Sequence, residues 1–259
     1  MNFFSQQGED IYIFYNFINL KNPSGVFVEI GGFDGITYSN SKFFEDTLGF
    51  SGVLIEPTQQ FESMIKNRPN CKSYNLAVAR NPEKMLMTGK DATAGLDDSM
   101  HPSFKEALHS SSESYLVDAV PFWYILKNSG ISRIDLLTID VEGGELAILD
   151  TMDFNIPTYV IAIEMSRYDL KKDEACRDVL RKNKFILDRK LCGNEIWYNP
   201  AYPFIDSVYL RIPPPKINSI GDVGYFWHIE RECIEEVKNA VCQGRSLAGD
   251  RPYIDSRPR

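Results

Sequence analysis

VFVEIGGFDG, residues 26–35, reads as a buried strand running straight into a loop with unusual backbone angles: apolar residues interrupted by one glutamate, two glycines, then an Asp-Gly pair. Gly31, Gly32 and Gly35 lack the Cβ atoms that would hold a ligand away from the backbone. Asn40, followed by KFFEDTLG, reads as the cap of a helix whose N-terminal N–H groups point back at the same loop. Strand, glycine turn and helix N-terminus together describe a nucleotide-type pocket at the carboxyl edge of a parallel sheet. The competing description is a plain structural corner.

The chain on either side continues the pattern. Residues 5–20 carry Ile11, Phe14, Tyr15 and Ile18 at helical spacing, with Ser5 or Gln6 opening the segment. SGVLIEP, residues 51–57, is a second strand that ends on Glu56, about twenty residues past the glycine turn. A carboxylate there can accept from both hydroxyls of a ribose. QQFESMIKN is a helix stopped by Arg68-Pro69, and KSYNLAVA a third strand. Such α-β-α-β-α-β alternation forces parallel pairing, right-handed crossovers and helices on both faces.

The alternation lapses near residue 80. KMLMTG and SYLVDAV can pair as an antiparallel hairpin, and the polar, serine-rich stretch 89–113 between them reads as a lid or a substrate-selecting insert. Its two histidines, His101 and His109, read as solvated loop residues, either of which could swing in as a base. Pro121 opens the helix PFWYILKNSG, closed by Gly130.

Acids then gather at strand ends. IDLLTID, residues 134–140, runs into VEGGE, so Asp140, Glu142 and Glu145 fall within six residues at the carboxyl end of a central strand. Glu145 complements the N-terminus of the following helix, ELAILD. Buried strand-end acids such as Asp140 and Glu142 need a partner: a ligand, a proton relay or a cation. TYVIAIEMS places Glu164 at the same edge. DEACRDVLRKN is an amphipathic helix, and KFILDRKL, NEIWYN and SVYLR supply the last strands. Residues 1–212 therefore read as one domain. IPPPKINSIGDVG opens an extension over 213–259, whose helix carries Ile229, Cys233, Ile234 and Val237 on one face, a stripe to be buried on the domain or in a homo-oligomer.

The totals set outer bounds. The 259 residues, 43% apolar and 25% charged, belong to an ordinary globular chain, and a formal charge of −8 argues against holding a nucleic-acid backbone. Five cysteines without a C-x-x-C fit reduced thiols in a cytoplasmic setting and no structural zinc. The N-terminus carries Glu9 and Asp10 and no basic leader, which argues against a signal peptide, and no run is long and apolar enough for a membrane span.

SQQGED, FVEIGGFDGITYSNS, GVLIEP, IDLLTIDVEGGE and VIAIE, in that order, resemble the FkbM family of S-adenosylmethionine-dependent methyltransferases over residues 5–199. The resemblance implies a class I methyltransferase fold, α/β and Rossmann-like. Its seven-stranded, mostly parallel sheet has helices on both faces and the last strand inserted antiparallel. It implies methyl transfer to a hydroxyl of a sugar, a glycan or a secondary metabolite. Carried over by position, Gly31, Gly32 and Asp34 would hold the methionine part and ribose of the donor and Glu56 the ribose hydroxyls, with Glu29 also at the cofactor site. Gln6, Glu9, Ser39 and Asn40 match the flanking signatures of the cofactor site, and Asp140-Val141-Glu142-Gly143 the strand-four signature. Gly144 stands where alanine is common.

The residue types suit the chemistry. A methyl on a sulfonium needs an acceptor oxygen in line and water excluded, and an alcohol must lose its proton as it attacks. Asp140, Glu142 or Glu164 can be that base or orient the acceptor, or two of them can bind Mg²⁺ as a Lewis acid. Three rivals remain: a catalytically silent interaction module on the same fold, a nicotinamide oxidoreductase without the expected G-x-G-x-x-G, and an RNA 2′-O-methyltransferase at odds with the acidic charge.

Overall fold

The computed structural model describes residues 2–18, 25–89, 92–107, 113–166 and 168–202. His109, the SVYLR segment and the extension 213–259 with its amphipathic helix lie outside the described residues.

The first half of the chain alternates as α1 (Glu9–Phe17), β1 (Val26–Ile30), α2 (Lys42–Leu48), β2 (Ser51–Ile55), α3 (Phe61–Asn67) and β3 (Lys72–Tyr74). Short elements follow: β4 (Ala77–Val78), β5 (Glu83–Thr88), β6 (Gly95–Leu96), α4 (Pro102–Ala107) and β7 (Ser114–Val120). The second half resumes with α5 (Phe122–Ser129), β8 (Ile134–Ile139), α6 (Glu145–Thr151), β9 (Thr158–Glu164), α7 (Leu170–Lys182), β10 (Ile186–Leu191) and β11 (Asn194–Tyr198).

The main sheet has seven strands in the order β10-β11-β9-β8-β1-β2-β3. β1, β2, β3, β8 and β9 pair in parallel, and β11 lies antiparallel between β9 and β10. This is the class I methyltransferase layout. Both faces of the sheet are covered, so its central strands are apolar on both sides. Phe27, Leu54, Leu136 and Val160 pack with Ile13, Phe14 and Phe43 from α1 and α2. Val28, Ile55, Leu137 and Ile161 pack on the other face with Ile125, Ile148 and Leu180 from α5, α6 and α7. Each such buried side chain contributes about 1.5–3 kcal/mol, and together they fix the strand ends that carry the acids.

The smaller sheet runs β4-β7-β5-β6. β5 and β7 form the expected antiparallel pair, with Leu86 opposite Leu116. KSYNLAVA, however, is two strands in two sheets rather than one. The Asn75 amide donates to the carbonyl of Glu56 at 2.9 Å, which turns the chain out of the main sheet after Tyr74.

Two further boundaries differ from the sequence pattern. α1 begins at Glu9, not at Ser5 or Gln6, because Gly8 takes a left-handed conformation ahead of it while the Asp10 carboxylate draws back the N–H groups of Phe4 and Ser5. The stretch 89–113 is not devoid of structure: β6 pairs with β5 there, and α4 follows.

Candidate active site

The carboxyl edges of β1, β2 and β8 surround a cleft. Gly31, Phe33, Glu56, Thr58 and Asp140 line it from the main sheet, and Val78, Met87, Ala94 and Leu96 from the smaller one. It is a mostly apolar slot with an acid at either end. Glu56 is buried and accepts from the N–H groups of Phe33 and Thr58, both at 2.8 Å. Burial nevertheless raises its pKa above the usual carboxylate range.

The glycine loop is shaped for its own neighbours. A Cβ on Gly31, whose φ is +86°, would stand 1.8 Å from the carbonyl oxygen of Asp140, so the glycine lets the exits of β1 and β8 close up. At Gly32 and Gly35 the crowding comes from Met64 and Arg68. A side chain at any of the three would collide with protein, and Gly31 also lines the cleft.

Behind the loop lies a dense polar network. The Glu29 carboxylate accepts from Ser39 Oγ at 2.9 Å, Asn40 N at 2.8 Å and Ser41 Oγ at 2.7 Å. Arg68, also fully buried, reaches Gly35 O, Ser39 Oγ and Ser41 Oγ, pairs with Glu45 and stands 3.6 Å from Glu29. Ser39 Oγ, not Asn40, accepts from Lys42 N at the head of α2. Asp34 closes a turn, accepting from Ile36 N, Thr37 N and Thr37 Oγ1. Glu29, Gly32, Asp34, Ser39 and Asn40 thus hold the loop and do not figure among the residues lining the cleft.

Asp140, Glu142 and Glu164 converge beyond the other end. Each offers a carboxylate oxygen within 4.8 Å of the other two. Asp140 and Glu164 share a hydrogen bond, and burial is the largest cause that raises the pKa of all three, with mutual repulsion next for Glu142 and Glu164. Glu164 holds its proton most firmly, as expected when like charges cannot all ionise together. Glu142 sits at φ +53°, a left-handed conformation uncommon for a residue with a side chain. The turn is braced by Lys172, whose Nζ donates to Gly143 O at 3.0 Å and Glu145 Oε2 at 2.6 Å. A lysine therefore does stand near these acids, although the sequence shows none beside them. Glu145 combines its place in the first turn of α6 with this ion pair.

The N-terminal arm reaches the same region. Glu9 is buried, accepts from Asn194 Nδ2 at 2.7 Å, and has a pKa pushed up to about 7, chiefly by burial, with Asp10 and Asp140 adding repulsion. Gln7, rather than the exposed Gln6, makes the link: its side-chain oxygen accepts from Gly193 N and Asn194 Nδ2. Arg68, Ser41, Gln7 and Asn194 escaped the sequence reading. The SQQGED and SNS stretches were the available signals for Gln7 and Ser41; nothing marks Arg68 or Asn194.

A seven-stranded class I sheet with its cleft and acids at the carboxyl edge defines a methyltransferase architecture. The family model described as "Methyltransferase FkbM domain" matches residues 29–189, and the chain belongs to that family of S-adenosylmethionine-dependent methyltransferases. No curated protein gives a significant match. Among solved structures, the chain is similar to one in a fibrillarin/Nop5p complex at 15% identity, TM-score 0.37, covering 68% of this chain and 72% of that one. A SAM-dependent methyltransferase from Aquifex aeolicus matches at 9% identity, TM-score 0.35, over 73% of this chain and 87% of that one. The pyocyanin biosynthetic protein PhzM matches at 10% identity, TM-score 0.35, over 75% and 54%.

Proposed function

We propose that the chain is an O-methyltransferase that moves the methyl of S-adenosylmethionine to a hydroxyl of a sugar, a glycan or a secondary metabolite. The observation that carries this reading is the convergence of Asp140, Glu142 and Glu164 at the end of a cleft whose other end is Glu56. The chemistry of the lining suits the donor: apolar walls match an adenine ring, and Glu56 offers acceptor oxygens for ribose hydroxyls. When bound, the donor supplies an electrophilic methyl on a cationic sulfur. Asp140, at the cleft wall, accepts the proton of the attacking hydroxyl, while Glu142 and Glu164 beside it hold their own protons. The shared proton between Asp140 and Glu164 leaves one acid charged and one neutral, which provides a base without three like charges.

A second reading assigns Mg²⁺ to the same three acids. Three carboxylate oxygens are hard ligands of the right kind for it, and the set contains no histidine or cysteine that would favour zinc. The cation would replace the shared protons and acidify the acceptor hydroxyl.

Transfer of labelled methyl to a panel of sugars, glycosides and hydroxylated metabolites, with chelator or with added Mg²⁺, tests both. Incorporation that survives chelation favours the acid-base reading, and incorporation restored only by Mg²⁺ favours the metal. Labelling of amines alone would overturn O-methylation. Among the described residues no helix is long and apolar enough to cross a membrane. Cys71, Cys176 and Cys192 are thiols, in keeping with a cytoplasmic site of action.

A further inference from the structure

Three aromatic rings meet on segments that flank the Glu142–Gly143 turn, and no step above uses them. Tyr168, 52% exposed, packs against His101 with ring centroids 6.3 Å apart and planes inclined by 20°, and against Phe104 at 5.6 Å. The rings come from different segments: Tyr168 follows β9, His101 precedes α4, and Phe104 belongs to it. Both segments are pinned to the Glu142–Gly143 turn. A Cβ on Gly95 would come 2.7 Å from Glu142 O, so β6 lies directly on the turn, and Met100 Cα stands close to Gly143, immediately before His101. From the other side, Lys172 Nζ bonds Gly143 O, four residues after Tyr168. The platform and the acids therefore share one support.

We propose that Tyr168, backed by His101 and Phe104, is the face on which a pyranose ring of the acceptor stacks. This deepens the O-methyltransferase reading and rests on it. A pyranose has an apolar C–H face and a hydroxyl edge; an exposed aromatic ring offers a flat apolar surface to the first, and carboxylates accept from the second. The same carboxylates repel a phosphorylated or otherwise anionic acceptor. The most exposed of the three rings, packed against two half-buried ones, matches one sugar, and a ring held by such packing loses less entropy on binding.

The test is saturation-transfer NMR on the full chain with S-adenosylhomocysteine bound, using methyl glycosides of glucose, galactose, mannose, xylose and rhamnose as probes. At least one glycoside is expected to receive saturation on the ring protons of one face. Tyr168→Ala should lose that signal and Tyr168→Phe keep it, while both variants bind S-adenosylhomocysteine as the unaltered chain does. For a glycoside that is methylated, Tyr168→Ala should raise KM about tenfold with kcat much less affected. Two results overturn the platform: no glycoside signal from a protein that binds S-adenosylhomocysteine, or a signal untouched by Tyr168→Ala. Methyl transfer to a hydroxyl that ignores Tyr168 would remove the platform and leave the reaction standing. Stacking without transfer to any hydroxyl would do the reverse.

Discussion

Two groups of buried and half-buried carboxylates stand near the carboxyl edge of the sheet, and they are treated in opposite ways. Glu29 and Glu45 are matched by Arg68, two serine hydroxyls and a backbone N–H. Asp140, Glu142 and Glu164 are matched mainly by one another, and Lys172, the cation that lowers the Glu142 pKa, is already held by Glu145. A buried charge costs several kcal/mol unless paired, so the first group is scaffold and the second keeps unused acceptor capacity for a ligand. The difference separates what holds the loop from what does the chemistry.

The sharpest way to break this contrast is at Arg68. Arg68→Ala leaves buried Glu29 and half-buried Glu45 without their cation and should cost about 3–5 kcal/mol of stability in denaturant unfolding. Glu164→Gln should cost little, because it replaces a group that already carries a proton. Equal losses from the two variants would erase the distinction.

Turnover gives the mirror image. Asp140→Asn should lower kcat about a hundredfold with donor affinity retained, read by single-turnover kinetics and calorimetry. Glu56→Ala should do the opposite, weakening donor binding by about tenfold or more as the bonds to the ribose hydroxyls are lost. Exchange of these two phenotypes would reverse the assignment of the cleft's ends.

The smallest effect is the pH dependence of stability. Glu9, Glu56, Asp140, Glu142 and Glu164 all have folded pKa values above their unfolded ones. Across that interval, from about 4.5 to about 7 for Glu9, the folded chain binds more protons, so stability is fullest below it and falls as pH rises. Thermal unfolding between pH 5 and pH 8 should show this decline, with a shallower slope in Glu164→Gln. A slope of the opposite sign would mean that these acids are ionised and paired in the folded state.

Much of the sheet could be read in the chain because periodicity and strand-end acids are local features. VFVEI, GVLI, IDLLTI and TYVIAIE are buried strands, and the acids they deliver come together as expected. What was hidden is what depends on contacts far apart in sequence. Arg68 resembles a helix-stopping residue beside Pro69, yet its guanidinium binds a loop some thirty residues earlier. Asn194 meets Glu9 across 185 residues. At Gly31 a missing Cβ does not say which neighbour lies against it, and Asp140 O lies there while the glycine also lines the cleft. For KSYNLAVA, the apolar pattern continues through Asn75, whose side-chain amide turns the strand away.

The central claim is that the cleft between Glu56 and Asp140 binds the methyl donor independently of the acids that move the proton. Isothermal calorimetry with S-adenosylmethionine and then S-adenosylhomocysteine, on the unaltered chain, Glu56→Ala and Glu164→Gln, with and without Mg²⁺, tests it most directly. The expected result is one site of about micromolar affinity, weakened in Glu56→Ala and kept in Glu164→Gln. A folded protein that binds neither compound, or a Glu56→Ala variant that binds both as tightly as the unaltered chain, would contradict it.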